Sequence, residues 1–129
     1  MVGFDGSYPA RAALRWAARQ ARERRAVLDI VTVWEEGAAN IPLAEAPLDL
    51  ARERLGAALT TLVRERNTPR RIVTAPLRGL PGEELVRRAE DADLLILGSG
   101  EDPDAPGPLT RHCLRRSATP VVLVPASSA

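Results

Sequence analysis

The sequence predicts a single α/β domain built on a five-stranded parallel sheet with helices on both faces. Five short apolar runs alternate with four stretches of helical periodicity. Strict alternation of this kind calls for parallel strands joined by right-handed crossovers. The run Leu94-Leu95-Ile96-Leu97 stops abruptly at Gly98-Ser99-Gly100, as a buried parallel strand does when it opens into a loop. A chain of 129 residues with 45% hydrophobic content is large enough for one good core.

In chain order, the first strand is Met1-Val2-Gly3-Phe4, unusually short. Ser7 caps the helix that follows, with Pro9 in its opening turn. Ala10, Ala13, Leu14, Ala17, Ala18 and Ala21 form one face at helical spacing, small enough to sit close to a sheet. The second strand is Val27 to Trp34, and Trp34 either lines a crevice mouth or covers the edge of the core. A loop from Glu35 to Ala46 leads to the second helix, marked by Leu48, Ala51, Leu55, Leu59 and Leu62. The third strand is Arg71 to Ala75, with Arg70 and Arg71 before it and Pro76 after it, features that protect an edge. The third helix opens at Pro81 and buries Leu85, Val86 and Ala89, with Glu83–Arg87 and Glu84–Arg88 spaced for i,i+4 pairs. The fourth strand is Asp93 to Leu97, the fourth helix Leu109 to Arg116, and the fifth strand Val121 to Val124. Their β-branched content and shortness favour strands over buried helices. Residues 1–125 make one domain, and 126–129 are expected to be a flexible tail.

Composition excludes several function classes. All 18 basic residues are Arg, which removes the Walker A lysine and Schiff-base catalysis. A net charge of +1 gives no bulk attraction to nucleic acid or membrane. The arginines Arg11, Arg15, Arg19, Arg22, Arg24 and Arg25 lack an aromatic platform, so nucleic-acid binding is not expected. Arg111, Arg115 and Arg116 read as a solvated helix face. The lone Cys113 forms no intrachain disulfide and reads as a small core hydrophobe, consistent with a reducing cytoplasm. His112 beside it faces elsewhere on the helix, so the two make neither a metal pair nor a nucleophile–base pair. No apolar stretch approaches the roughly 20 residues of a membrane span, and no signal-peptide pattern opens the chain. No catalytic residue and no metal site is assigned.

In open α/β sheets, ligands sit at the carboxyl ends of the strands where the strand order reverses. The common order 3-2-1-4-5 puts that point between the first and fourth strands. Asp5-Gly6-Ser7 and Gly98-Ser99-Gly100 then face one crevice. Asp5 can accept from a ribose hydroxyl, an adenine amine or a metal-bound water; the alternative is that Asp5 and Ser7 only form a turn and cap a helix. The following loop, Glu101-Asp102-Pro103-Asp104-Ala105-Pro106-Gly107-Pro108, is hostile to phosphate. Its prolines have no N–H to give, and one like charge at about 4 Å costs about 1–4 kcal/mol. If the fifth strand is an edge, Val121, Val122, Leu123 and Val124 are the candidate interface of a homodimer.

Several motifs resemble those of the universal stress protein family. They are Val2-Gly3-Phe4-Asp5-Gly6-Ser7 with Ala12-Ala13-Leu14-Arg15-Trp16-Ala17, then Val31-Thr32-Val33-Trp34, Arg78-Gly79-Leu80-Pro81-Gly82-Glu83-Glu84-Leu85, Asp91 to Ser99, and Thr119-Pro120-Val121-Val122-Leu123-Val124-Pro125. The likeness spans nearly the whole chain; the first strand alone looks a few residues short of the family's usual start. The resemblance implies a Rossmann-like, adenine-nucleotide alpha-hydrolase-like sheet in the order 3-2-1-4-5, dimers through the last strand and, in one branch, ATP in the crevice. It also implies that Asp5, the backbone of Val33 and Gly98 hold adenine and ribose. The ATP-binding branch carries Gly, two residues, Gly, nine residues, then Gly-Ser or Gly-Thr. Gly98 fits the first glycine, Glu101 replaces the second, Gly107 aligns with the last, and Pro108 follows it. The loop is four residues shorter than that pattern. The expected function is therefore a cytoplasmic, homodimeric binding or regulatory module with impaired or absent tight ATP binding. The ligand expected is a nucleoside or monophosphate, with no cofactor assigned beyond an adenine nucleotide. The alternatives are an ATP- or AMP-type stress sensor, a nucleotide-cleaving enzyme using Asp5 with Asp102 or Asp104 around a metal, and a pure interaction protein with a vestigial crevice.

Overall fold

In the computed structural model of the chain, the described residues are 1–35, 47–100, 102 and 104–126. The chain runs β1 (Val2–Gly3), α1 (Tyr8–Arg24), β2 (Leu28–Trp34), α2 (Pro47–Arg64), β3 (Ile72–Arg78), α3 (Pro81–Ala89), β4 (Leu95–Gly98), α4 (Pro108–Arg116) and β5 (Val121–Val124). All neighbouring strands are parallel, in the order β3-β2-β1-β4-β5. The expected fold and strand order are thus found. Of the loop expected from Glu35 to Ala46, only Glu35 lies within the described residues, and of the expected tail only Ala126 does.

The two faces of the sheet bury different cores. On one, α1 and α2 press Ala13, Leu14, Ala17, Leu55 and Leu62 against Val2, Leu28, Ile30 and Ile96. The alanine-rich stripe of α1 brings its backbone close to the sheet, and every alanine expected on that face is buried. On the other face, α3 and α4 place Leu85, Ala89 and Cys113 over Val31, Ala75, Leu95 and Leu97. Cys113 is fully buried in this core, while Arg111, Arg115 and Arg116 are exposed.

Three sequence expectations need correction. The third strand does not stop at Pro76 but continues through it to Arg78, pairing Pro76 with Thr32. An edge strand tolerates this, since proline's missing N–H costs nothing on the unpaired side. The fourth strand begins at Leu95 and includes Gly98. The i,i+4 pairs of α3 are not made. Arg87 instead reaches Glu84 at 2.8 Å, one turn position closer. Arg88 leaves its helix to fork onto Asp29 of β2, a partly buried carboxylate across the layer that offers two acceptors in the guanidinium plane.

Buried hydroxyls tie elements together at both ends of the sheet, Thr32 on the crevice side and Thr119 at the opposite end. Thr32 Oγ1 donates to the Phe4 carbonyl at 2.7 Å, tying β2 to the residues leaving β1. Thr119 Oγ1 donates to Ala89 O at 2.6 Å, joining the approach to β5 with the end of α3.

Candidate functional site

Every strand of a parallel sheet delivers its carboxyl end to the same side, and every following helix starts there. Here β1 ends at Gly3 and β4 at Gly98, flanking the point where the order reverses. A crevice of about 170 Å³ lies at this point on the α3/α4 side. Gly3, Val31, Val33 and Leu97 form its floor; Pro81, Leu85, Leu109 and Thr110 form one wall, and Asp5, Ser7, Pro9, Ala10 and Gly98 the other.

The first turn of α1 is held tightly. Asp5 Oδ1 accepts from the Ser7 N–H at 2.9 Å, and Ser7 Oγ accepts from the Ala10 N–H at 3.3 Å. The turn-and-cap roles foreseen for both residues are therefore made. They leave the second carboxylate oxygen of Asp5 without a hydrogen bond among the described residues, on an exposed side chain at the crevice. Gly98 is required sterically. A Cβ there would come within 2.5 Å of the Pro9 carbonyl carbon and oxygen, so only glycine lets the α1 terminus rest on β4.

Of the residues singled out in the sequence, Asp5, Ser7, Val33 and Gly98 meet in this crevice, while Gly6, Ser99, Gly100 and Gly107 stand off its wall. Gly6 takes a left-handed φ of 82° at the rim, alongside Arg54. Ser99 continues the ladder by donating its N–H to Val124 O at 3.0 Å, and its hydroxyl is buried without a partner among the described residues. Gly100, at φ 79°, has open space beside it, and so does Gly107, the N-cap of α4. Trp34 is not part of the wall; its carbonyl accepts from the Gly79 N–H at 2.9 Å. Within the following loop, Asp102 turns inward on its own backbone, accepting from the Asp104 N–H at 2.9 Å. Glu101 and Pro103 lie outside the described residues.

Sequence reasoning missed Pro81, Leu109 and Thr110. Their signal was positional: all three fall in the first turn of a helix, and the topology brings the starts of α1, α3 and α4 to one end of the sheet. Thr110 is buried and adds a hydroxyl to the α4 wall. Among the described residues, no group of three or more His, Cys, Asp and Glu could hold a metal ion. Nor is any helix among them long and apolar enough to cross a membrane.

The family model of the universal stress proteins matches residues 1–125. The chain belongs to the universal stress protein family. Solved structures of the family share its fold. A universal stress protein in complex with cAMP aligns with a TM-score of 0.71 at 26% identity, over 95% of this chain and 93% of that one. A universal stress protein from Archaeoglobus fulgidus aligns with a TM-score of 0.77 at 23% identity, over 95% and 90% of the two chains. One from the same organism in complex with dAMP gives 0.71 at 23%, over 95% and 94%. No curated protein matches the chain by sequence. Family membership fits the paired turns of the crevice, since two of the motifs that carry the resemblance, Val2–Ser7 and Asp91–Ser99, run into it.

Proposed function

We propose that this universal stress protein binds the adenosine part of an adenine nucleotide, has lost tight ATP binding, and works in the cytoplasm as a non-catalytic, homodimeric regulatory module. The observation carrying this reading is that Asp5, Val33 and Gly98 share one crevice at the switch in strand order. The free oxygen of Asp5 suits a ribose hydroxyl or an adenine amine. The apolar floor suits a flat base. The neighbours holding cAMP and dAMP support adenine chemistry in this fold.

The rim argues against a triphosphate. Pro106 and Pro108 offer no N–H, and Asp102 and Asp104 bring like charge. Each repulsion at about 4 Å costs about 1–4 kcal/mol. Gly107, aligned with the last glycine of the phosphate-binding pattern, does not line the crevice, which leaves the phosphates without a cradle.

The β5 edge supports the dimer. Among the described residues it pairs on one side only, with β4, and Val121, Val122 and Leu123 are half-buried. Pairing with the same strand of a second copy would satisfy its open backbone under two-fold symmetry. Light scattering at micromolar concentration should report twice the chain mass, and a monomer would refute this part. Titration calorimetry should find adenosine or AMP binding, with Mg-ATP weaker than about 10 μM, roughly 7 kcal/mol of binding. A tighter ATP complex would overturn the reading.

A further inference from the structure

We infer that the crevice prefers an adenosine whose 5′ group is apolar and uncharged, a 5′-thioether of adenosine, over one that carries phosphate. The inference rests on the adenosine reading above and names the group at the far end of the ligand. Among the described residues lining the crevice, Asp5 has the one charged side chain; no Arg and no His lines it. One Asp5 oxygen accepts from the Ser7 N–H, and the other has no hydrogen bond among the described residues. The crevice therefore carries one acid and no cationic side chain to offset it.

Strand order places the 5′ group. β2, β1 and β4 are neighbours in that order, so Val33, Asp5 and Gly98 follow one another across the crevice. A base over Val31 and Val33 with its ribose at Asp5 points its 5′ carbon toward β4, where Gly98, Leu109 and Thr110 meet. That place lies about one strand spacing, roughly 4.8 Å, from the Asp5 turn. A phosphate there faces the carboxylate at short range and is repelled. Backbone donors do not reverse this. Ser7 and Ala10 donate their N–H groups to Asp5 Oδ1 and Ser7 Oγ. Pro108 has no N–H, and Arg111 donates its own to the Gly107 carbonyl. The start of α4 then offers about half a positive charge, less than the whole charge of a carboxylate. The β4 end supplies apolar surface instead. Leu109 lines the wall beside Leu85 yet stays 37% exposed. A methylthio group set against Leu109 removes apolar surface from water on both partners, whereas a phosphate in the same place gives up hydration for no cation.

The test is calorimetry on the full chain at low salt with adenosine, 5′-deoxy-5′-methylthioadenosine and 5′-AMP. Wild type should bind the thioether about three-fold or more tighter than adenosine, and AMP about five-fold or more weaker than adenosine. Raising the salt concentration should close part of the gap for AMP and leave the two uncharged ligands unchanged. Leu109→Ser should bring the thioether within about two-fold of adenosine. Asp5→Asn keeps an acceptor for the Ser7 N–H and should bring AMP within about two-fold of adenosine, whatever it does to adenosine itself. In wild type, AMP as tight as adenosine, or a thioether no tighter than adenosine, would overturn the inference and leave the adenosine reading standing. A thioether preference that survives Leu109→Ser, or an AMP penalty that survives Asp5→Asn, would overturn it in the same way. Wild type that binds none of these ligands would overturn the inference and the adenosine reading together.

Discussion

Arg88 of α3 grips Asp29 of β2 through two hydrogen bonds, Nε to Oδ2 at 2.7 Å and Nη2 to Oδ1 at 3.0 Å. The contact joins the end of a helix to the start of the strand beneath it. Both side chains are mostly covered, at 32% and 21% exposure. The hydrogen bond to Asp29 holds the Arg88 pKa above its ordinary value, so the guanidinium keeps its charge.

Removing either partner should therefore cost more than a surface ion pair does. Arg88→Ala and Asp29→Asn are each expected to destabilise the fold by about 1–2 kcal/mol. A double-mutant cycle in urea should return a coupling energy of at least about 1 kcal/mol. By contrast, Arg87→Ala removes an i,i+3 pair from an exposed guanidinium and should change stability by less than about 0.5 kcal/mol.

Gly98→Ala should be far more damaging than its one added methyl suggests. The new Cβ would meet Pro9 backbone at 2.5 Å, so α1 must move off β4. A loss of about 2–3 kcal/mol in chemical denaturation is expected. Gly107→Ala meets open space and should cost less than about 1 kcal/mol, the difference between two N-cap residues.

Cys113 gives the stability a defined alkaline limb. Burial raises its thiol pKa above the ordinary value. In the unfolded chain the thiol ionises first as pH rises, so the unfolded state then binds fewer protons than the native one. Its stability contribution is complete below the ordinary thiol pKa and is lost as pH climbs from about 8.5 toward the raised native value. Unfolding free energies measured at pH 7 and pH 10 should differ more for wild type than for Cys113→Ala. The native thiol should also resist a disulfide reagent at pH 8 on the timescale of a denatured control.

Much of this molecule is legible in its amino-acid pattern. The alanine stripe of α1 and the apolar stop at Gly98 each encode one local geometry, so the layered fold follows from that pattern, while the strand order and the crevice position it sets come from the common order of such sheets and from the family resemblance. What it misses depends on distances. The spacing of Glu84 and Arg88 allows a pair on one helix, but a better-placed acceptor on β2 takes the guanidinium. Pro76 is legible as an edge feature, but that the strand continues through it to Arg78 depends on its ring falling on the unpaired side. Gly6, Ser99, Gly100 and Gly107 group with the crevice by adjacency in sequence. In three dimensions one residue's difference in phase turns Ser99 into the protein and Gly6 toward Arg54. Thr110 escapes notice because a single threonine in a weakly patterned helix carries no signal until the helix start is placed.

The two rims of the sheet are unlike. At β3, Pro76 interrupts the row of donors and Arg70 and Arg71 stand exposed at the approach, whereas β5 offers four residues with neither device. A molecule with two bare rims could add copies without end, each recruit exposing a fresh template for the next. If two copies pair through the one rim left bare among the described residues, growth through the main chain would end there, because that union would consume the surface that made it. The proline in β3 is thus a stop placed on the far side of the molecule from the place where stopping matters, and its replacement by a β-former would remove one barrier to open-ended stacking.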